Sequence, residues 1–313
     1  MQKLFNSQQL EQYLFEGSRH VDGYLQSGSA SVIWSIFDIQ DELKITGNVA
    51  EIGVFHGKLF ILLCHSLRSG ERGFAIDAFD TKPEIQGLKT EEDLQRFNPN
   101  NLRSNLEYNG INPALVKLIV ADSQDLTADE LLPEFGDANI RIYSVDGDHS
   151  RNGVRHDLQL AAATLSEGGI ILADDLFNTL CPSLTEGIIE FFRKDNDSRL
   201  EPVAIVSSNG PKRTGSTKLV LSDSNFAIQY KAYLQLLNRT NYSHTDEFLG
   251  FEHVLIFEFG DMPTKHPLDA GVRRAVSKFF KNDRKRDNEL LERHTSSIEK
   301  SNSLGEFGRL FEK

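Results

Sequence analysis

The chain has 313 residues, of which 39% are hydrophobic and 26% are charged, and its formal net charge at pH 7 is -12. This length and apolar content suffice for one large domain with terminal additions, so disorder is not expected. The acidic balance disfavours nucleic-acid backbone and anionic membrane as partners, because both require a basic surface. A small-molecule substrate is favoured.

The cysteine count and the N-terminus indicate the compartment. Two cysteines, Cys64 and Cys181, lie in or beside apolar stretches, which predicts buried thiols in a reducing, cytoplasmic environment rather than a disulfide framework. The longest apolar run, residues 59–64, is too short to cross a bilayer, and the first residues lack the pattern of a signal peptide. We expect neither a membrane span nor a signal peptide.

The first half of the chain alternates strand and helix patterns. Residues 1–46 carry apolar side chains near a 3.6-residue period and predict a helical cap. The predicted elements that follow are a strand at 48–52, a helix at 58–68, a strand at 73–77, a helix within 90–107, strands at 116–121 and 140–145, a helix at 152–165 and a strand at 169–173. Such alternation predicts right-handed crossovers and a mostly parallel sheet covered on both faces.

The second half completes a doubly wound α/β fold with seven strands. A helix at 184–193 precedes strands at 202–207 and 218–221, which are close enough in sequence to pair as an antiparallel hairpin. The places of a helix at 226–237 and an extended segment at 253–259 stay open. We expect a Rossmann-like core over 47–263 and a basic helical arm over 264–313, which packs on the domain or on a second subunit in a homo-oligomer.

Gly53 and Gly57 occupy the turn between the first strand and its helix, where backbone can approach a ligand closely. Phe55 replaces the second glycine of a dinucleotide fingerprint, and Leu59 replaces the magnesium-binding hydroxyl of a P-loop. The remaining pattern, an acidic residue followed by Ile-Gly-x-x-x-Gly, resembles the first motif of class I S-adenosylmethionine-dependent methyltransferases. The resemblance implies that Glu51 helps to hold the cofactor's ammonium, and a carboxylate suits this cationic ligand.

Carboxylates at the next two strand ends supply the rest of the expected cofactor site. Asp77 ends the second strand at the position of a ribose-binding acid, and Asp80 is the second choice. By the family resemblance, Asp122 and Ser123 border the adenine; alternatively, they cap the helical segment that follows.

Four further aspartates, Asp146, Asp148, Asp174 and Asp175, follow the fourth and fifth strands and are expected to converge at one edge of the sheet. Carboxylates at close quarters repel one another unless a cation neutralises them or some take up protons. All-oxygen ligation favours Mg²⁺ or another hard divalent cation over zinc. Alternatively, these residues form turns and helix caps.

The motifs DGDHS and GGIILADD are similar to those of metal-dependent O-methyltransferases of the TylF and mycinamicin type, over about residues 46–225. The resemblance implies that Asp146, Asp174 and Asp175 hold the metal, that Asp148 or His149 is the general base, and that the acceptor is a hydroxyl of a sugar or small polyol. Histidine has a suitable pKa for this task.

Two alternatives remain open. A related branch, resembling cephalosporin hydroxylases, uses the same metal cluster in a different reaction. A non-catalytic scaffold whose basic C-terminal arm mediates assembly is the other.

Overall fold

The computed structural model describes residues 2–79, 97–136, 138–197, 199–208 and 217–259. The described helices are α1 (Ser7–Phe15), α2 (Ser27–Glu42), α3 (Lys58–Cys64), α4 (Pro99–Tyr108), α5 (Ala128–Phe135), α6 (Arg151–Ala163), α7 (Pro182–Lys194) and α8 (Ala227–Leu237). The described strands are β1 (Asn48–Ile52), β2 (Gly73–Asp77), β3 (Val116–Val120), β4 (Ile140–Val145), β5 (Leu165–Ala173), β6 (Leu200–Ser208), β7 (Lys218–Asp223), β8 (Tyr242–Phe248) and β9 (Phe251–Phe259). The predicted arm at 264–313 lies outside the described residues.

All of these strands form one sheet in the order β3-β2-β1-β4-β5-β7-β6-β9-β8. The strands β1 to β5 pair in parallel, and β7 pairs antiparallel with both β5 and β6. The predicted mostly parallel, doubly wound α/β fold and its antiparallel hairpin are therefore confirmed.

The sheet continues beyond the predicted seven strands, so the predicted strand count was wrong. Strand β9 pairs in parallel with β6, and β8 pairs antiparallel with β9. Strand β8 has the sequence Tyr-Ser-His-Thr-Asp-Glu-Phe, and its five central residues are exposed. A polar edge strand carries no apolar run or alternation, which explains why the sequence did not predict it.

Helices cover both faces of the sheet, and β1 shows how. Val49 belongs to the core beneath α2, α3 and α8, whereas Ala50 and Ile52 belong to the core beneath α6 and α7. Every residue of β1 is buried, as expected for a central parallel strand.

The N-terminal helices belong to this layered arrangement. Helix α2 packs beside α8 and against β6 and β9.

Within the described ranges, no helix combines the length and the apolar character needed to cross a membrane.

Candidate active site

A cleft of about 470 Å³ opens at the edge where the parallel strands end, which is where open α/β sheets bind ligands. Five of the six residues predicted to bind the cofactor line it: Glu51, Gly53, Asp77, Asp122 and Ser123. The sixth, Gly57, is described but does not line the cleft; it precedes α3 with a left-handed backbone, φ 89°. Asp80 lies outside the described residues.

Gly53 is required by contact between two loops. Its φ is +80°, and a Cβ there would lie 1.9 Å from the backbone oxygen of Asp146. A Cβ on Gly57 would similarly meet Leu102 at 2.4 Å. These glycines were predicted to let the backbone approach a ligand. Contacts within the protein already exclude a side chain at both positions. As a result, the loop after β1 sets the position of the loop after β4.

Asp77 connects the loops after β1 and β2. Its Oδ2 accepts a hydrogen bond from the Phe55 N–H at 2.9 Å, and its Oδ1 accepts one from the Phe79 N–H at 2.8 Å. Burial raises the pKa of Asp77, and these backbone hydrogen bonds lower it. The carboxylate therefore supports the cleft wall itself, while Asp77 also lines the cleft at the predicted ribose position.

The buried carboxyl group of Glu51 has the chemistry needed to bind a cationic ligand. Glu51 is 2% exposed, and its Oε2 accepts no hydrogen bond of normal geometry from the described residues, while the Ser144 hydroxyl lies close enough to lower its pKa. Burial, followed by the negative charge of Asp146, raises the pKa of Glu51 well above its usual value. A buried carboxylate oxygen without a partner is costly, and an ammonium group in the cleft would remove that cost. Glu51 therefore fits the amino-acid end of S-adenosylmethionine.

Asp122 and Ser123 follow β3 and lie at another part of the same cleft. The Oδ1 of Asp122 accepts the Gln124 N–H at 3.0 Å, which caps a short 3-10 turn. The capping alternative from the sequence analysis is thus observed for Asp122, and it coexists with a position in the cleft lining.

Three predicted metal ligands, Asp146, Asp174 and Asp175, come together where β4 and β5 end. His149 lies between two of them: its Nε2 is 3.3 Å from Asp146 Oδ1, and its Nδ1 is 3.5 Å from Asp175 Oδ2. Asp175 has a left-handed backbone, φ 59°, which is uncommon outside glycine and typical of sites where a side chain is held in place.

Lys218, which the sequence analysis missed, joins this cluster. Its ammonium pairs with Asp174 Oδ2, while Asp174 Oδ1 accepts the Asp175 N–H at 3.0 Å. The cluster of three aspartates thus includes a built-in cation. A single lysine at the start of a strand gives no sequence signal, and the antiparallel pairing of β7 with β5 is what brings it there.

The charged groups in the cluster shift one another's pKa values. Burial and then the charge of Asp174 raise the pKa of Asp146 to about 6. Interaction with Asp146 raises the pKa of His149 to about 9, against the effect of burial. The His149 imidazolium therefore stabilises the carboxylates together with Lys218.

Asp148, the other predicted base, points elsewhere. Its Oδ1 accepts the Ser150 N–H at 3.0 Å, and its Oδ2 accepts the Ser150 hydroxyl at 2.6 Å and the Gln124 amide at 2.9 Å. Ser150 in turn caps α6. Asp148 borders the cleft but does not converge with the other three aspartates, in contrast to the sequence expectation.

One group of possible metal-ligand atoms lies at this edge of the sheet. It consists of His149, Asp175 and Cys181, whose ligand atoms lie within 4.8 Å of one another, and it does not include the predicted ligands Asp146 and Asp174. Carboxylate oxygens suit a hard cation, whereas the nearby thiol and imidazole are donors for softer ions. Cys181, which precedes α7, was predicted only as a buried thiol, and it is partly buried.

The N-terminal segment forms a wall of the cleft that the sequence did not indicate. Asp22, Gly23 and Tyr24 line it, together with Lys58 at the start of α3. No motif marks residues 22–24, because they reach the site through tertiary packing of the segment between α1 and α2.

Comparisons with known proteins agree with this arrangement. Residues 50–176 match the family model described as a methyltransferase domain. A search of curated proteins finds no match. One similar solved structure is the O-methyltransferase from Bacillus cereus in complex with SAH, at 16% identity and TM-score 0.48, covering 70% of this chain and 92% of that chain.

A second similar structure is the O-methyltransferase TomG from Streptomyces achromogenes, involved in tomaymycin synthesis, in complex with SAM. It is 16% identical, with a TM-score of 0.44, covering 71% of this chain and 98% of that chain. Residues 50–176, which supply most of the cleft lining and all three aspartates, are therefore similar to a methyltransferase domain.

Proposed function

We propose that the chain is an S-adenosylmethionine-dependent O-methyltransferase that acts on a hydroxyl of a sugar or small polyol, with Mg²⁺ or another hard divalent cation. The observation that carries the proposal is the buried Glu51 carboxyl group in a cleft lined by five predicted cofactor residues. The methyltransferase-domain match over residues 50–176 supports it independently. We further propose a cytoplasmic location.

In this proposal, the chain's own residues bind and orient the cofactor. Glu51 faces the ammonium, Asp77 accepts hydrogen bonds from the ribose hydroxyls, and Asp122 and Ser123 border the adenine. When bound, S-adenosylmethionine supplies an electrophilic methyl group on a sulfonium. Methyl transfer forms an oxygen–carbon bond as the sulfur–carbon bond breaks, and most of the acceleration comes from holding the acceptor oxygen in line.

Asp146, Asp174 and Asp175 would hold the divalent cation next to the acceptor hydroxyl. When bound, such a cation supplies Lewis acidity that lowers the hydroxyl pKa. His149 accepts the hydroxyl proton, and Asp148 is the less favoured base because Ser150 and Gln124 engage its carboxylate. His149 is neutral only when another cation engages its carboxylate neighbours, since Asp146 is the main cause of its raised pKa.

Product mass tests the proposal. The chain is incubated with S-adenosylmethionine and a panel of sugars and polyols, with Mg²⁺ or with a chelator. We expect a mass increase of about 14 in one acceptor, equimolar S-adenosylhomocysteine, and loss of both with the chelator, as for a metal that activates the hydroxyl. A gain of about 16 would favour the hydroxylase alternative, and cofactor binding without turnover on any acceptor would favour the scaffold alternative.

A further inference from the structure

The cleft is acidic, yet the proposed cofactor carries a carboxylate of its own that must bind there. The described lining of the cleft includes six carboxylates and two residues that can be cationic, Lys58 and His149, and His149 already contacts Asp146 and Asp175. The amino-acid end of S-adenosylmethionine is a zwitterion, with a carboxylate as well as an ammonium. Since like charges repel in a partly desolvated site, that carboxylate needs a cation beside it.

The Lys58 ammonium is positioned to be that cation. Its Nζ donates to the Gly23 carbonyl oxygen at 3.1 Å, which holds the side chain against the N-terminal wall of the cleft. Lys58 is partly buried; burial lowers its pKa, and the nearby charge of Asp22 opposes this effect. A partly desolvated ammonium gains more from an anionic partner than an exposed one does.

Lys58 and Glu51 lie on consecutive elements of the chain beside the cleft. Glu51 lies in β1, Lys58 begins α3 after the intervening loop, and both line the cleft. The Tyr13 hydroxyl donates to the Lys58 backbone oxygen, which fixes the start of α3. The two residues of opposite charge therefore flank the loop after β1.

We propose that Lys58 binds the carboxylate of the methionine moiety of S-adenosylmethionine, while Glu51 faces its ammonium. This assignment rests on the proposed function, because it requires that the cleft binds this cofactor. It gives Lys58 a cofactor-binding role that the glycine-turn motif does not specify.

Calorimetry with a matched ligand pair tests the assignment. S-adenosylmethionine and its decarboxylated form differ by the carboxylate, so the ratio of their dissociation constants measures the contribution of that group. In the native chain we expect the decarboxylated form to bind about 10- to 100-fold more weakly, as for a lost hydrogen bond between charged groups. In Lys58→Gln the ratio should fall to near 1, and in Lys58→Arg it should stay well above 1.

Lys194→Gln on α7 is the matched control, because Lys194 is exposed and is not among the residues that line the cleft, and its ratio should equal the native one. Binding of the decarboxylated form by Lys58→Gln verifies that this variant is folded. A ratio in Lys58→Gln equal to the native ratio would overturn the assignment while leaving the proposed function intact. If the native chain binds neither ligand, the proposed function fails and the assignment fails with it.

Discussion

At the scale of single residues, the positive charge of Lys218 offsets part of the negative charge of the aspartate cluster. Burial lowers its pKa, but the charges of Asp174 and Asp146 outweigh burial and raise the pKa overall. Its side chain is 6% exposed, so the pair with Asp174 is screened little by solvent. Removing one partner of such a pair leaves an uncompensated buried charge.

We therefore predict that Lys218→Met lowers the free energy of unfolding by about 3–5 kcal/mol, measured by urea denaturation with a chelator present. Mg²⁺ should restore more stability to this variant than to the native chain, because the cation replaces the lost positive charge. Lys117→Met is the control, since its pair with Glu134 is exposed and is worth at most about 1 kcal/mol. Equal stability of Lys218→Met and the native chain would show that the pair does not neutralise the cluster.

Asp157 is a second residue whose charge affects stability. It lies on α6, is fully buried, and packs beneath the loop between Asp146 and His149, where a Cβ on Gly147 would lie 2.6 Å from its Oδ2. Burial raises the pKa of Asp157 to about 7, and Ser123 opposes this effect. The folded chain therefore holds a proton there that the unfolded chain releases near pH 4.

Because the folded state binds more protons between about pH 4 and pH 7, the contribution of Asp157 to stability falls as pH rises through that window and levels off above it. We predict that Asp157→Asn removes this part of the pH dependence and is more stable than the native chain at pH 8 by up to a few kcal/mol. Urea denaturation from pH 4 to pH 8 measures both effects. Asp129→Asn, at an exposed position on α5, should keep the native slope, and an unchanged slope in Asp157→Asn would refute the assignment.

At the scale of elements, most strands of the parallel part were predicted to within one residue, whereas β5 begins four residues earlier than predicted and β8 was not predicted. The bounds of β1, β2 and β4 match the predictions, because each is a short, fully buried run. Helix α3 ends four residues before the predicted end, at Cys64, and Arg68 turns to bind the Ile45 carbonyl oxygen and Asp41 instead. Periodicity does not reveal where such long-range contacts end a helix.

The turn between β1 and α3 offers a direct test of loop packing. Gly53→Ala combines a strained backbone, φ +80°, with a clash against Asp146, whereas Gly70→Ala has a similar φ, +88°, and no atom within 4 Å of the new Cβ. We predict that Gly70→Ala costs about 1–2 kcal/mol of unfolding free energy and that Gly53→Ala costs several kcal/mol more. Equal costs in chemical denaturation would mean that the two loops do not depend on each other.

The sequence predicted those residues of the candidate site that lie at the ends of buried strands. Carboxylates at or next to the ends of buried strands gave Glu51, Asp77 and Asp146, because parallel strands end at one edge of the sheet. Tertiary packing decided the remainder. Lys218 arrives through the β5–β7 pairing, and the orientation of Asp148 follows from Ser150, which neither spacing nor composition reveals.

At the scale of the whole molecule, one continuous sheet carries the cleft at the ends of its parallel strands and continues as β9 and β8 on the far side. The N-terminal residues between α1 and α2 reach across to form part of the cleft wall. The central sheet and the N-terminal segment therefore form the cleft together. We propose that S-adenosylmethionine binds in this cleft.

A crystal structure of the chain grown with S-adenosylhomocysteine and Mg²⁺ tests this claim most directly. We predict the cofactor product in the cleft, with its ammonium within hydrogen-bond distance of Glu51 and its ribose hydroxyls at Asp77. S-adenosylhomocysteine bound elsewhere, for example in the cavity of about 440 Å³ lined by Gln9, Tyr13 and His65, with the acidic cleft empty, would contradict the account.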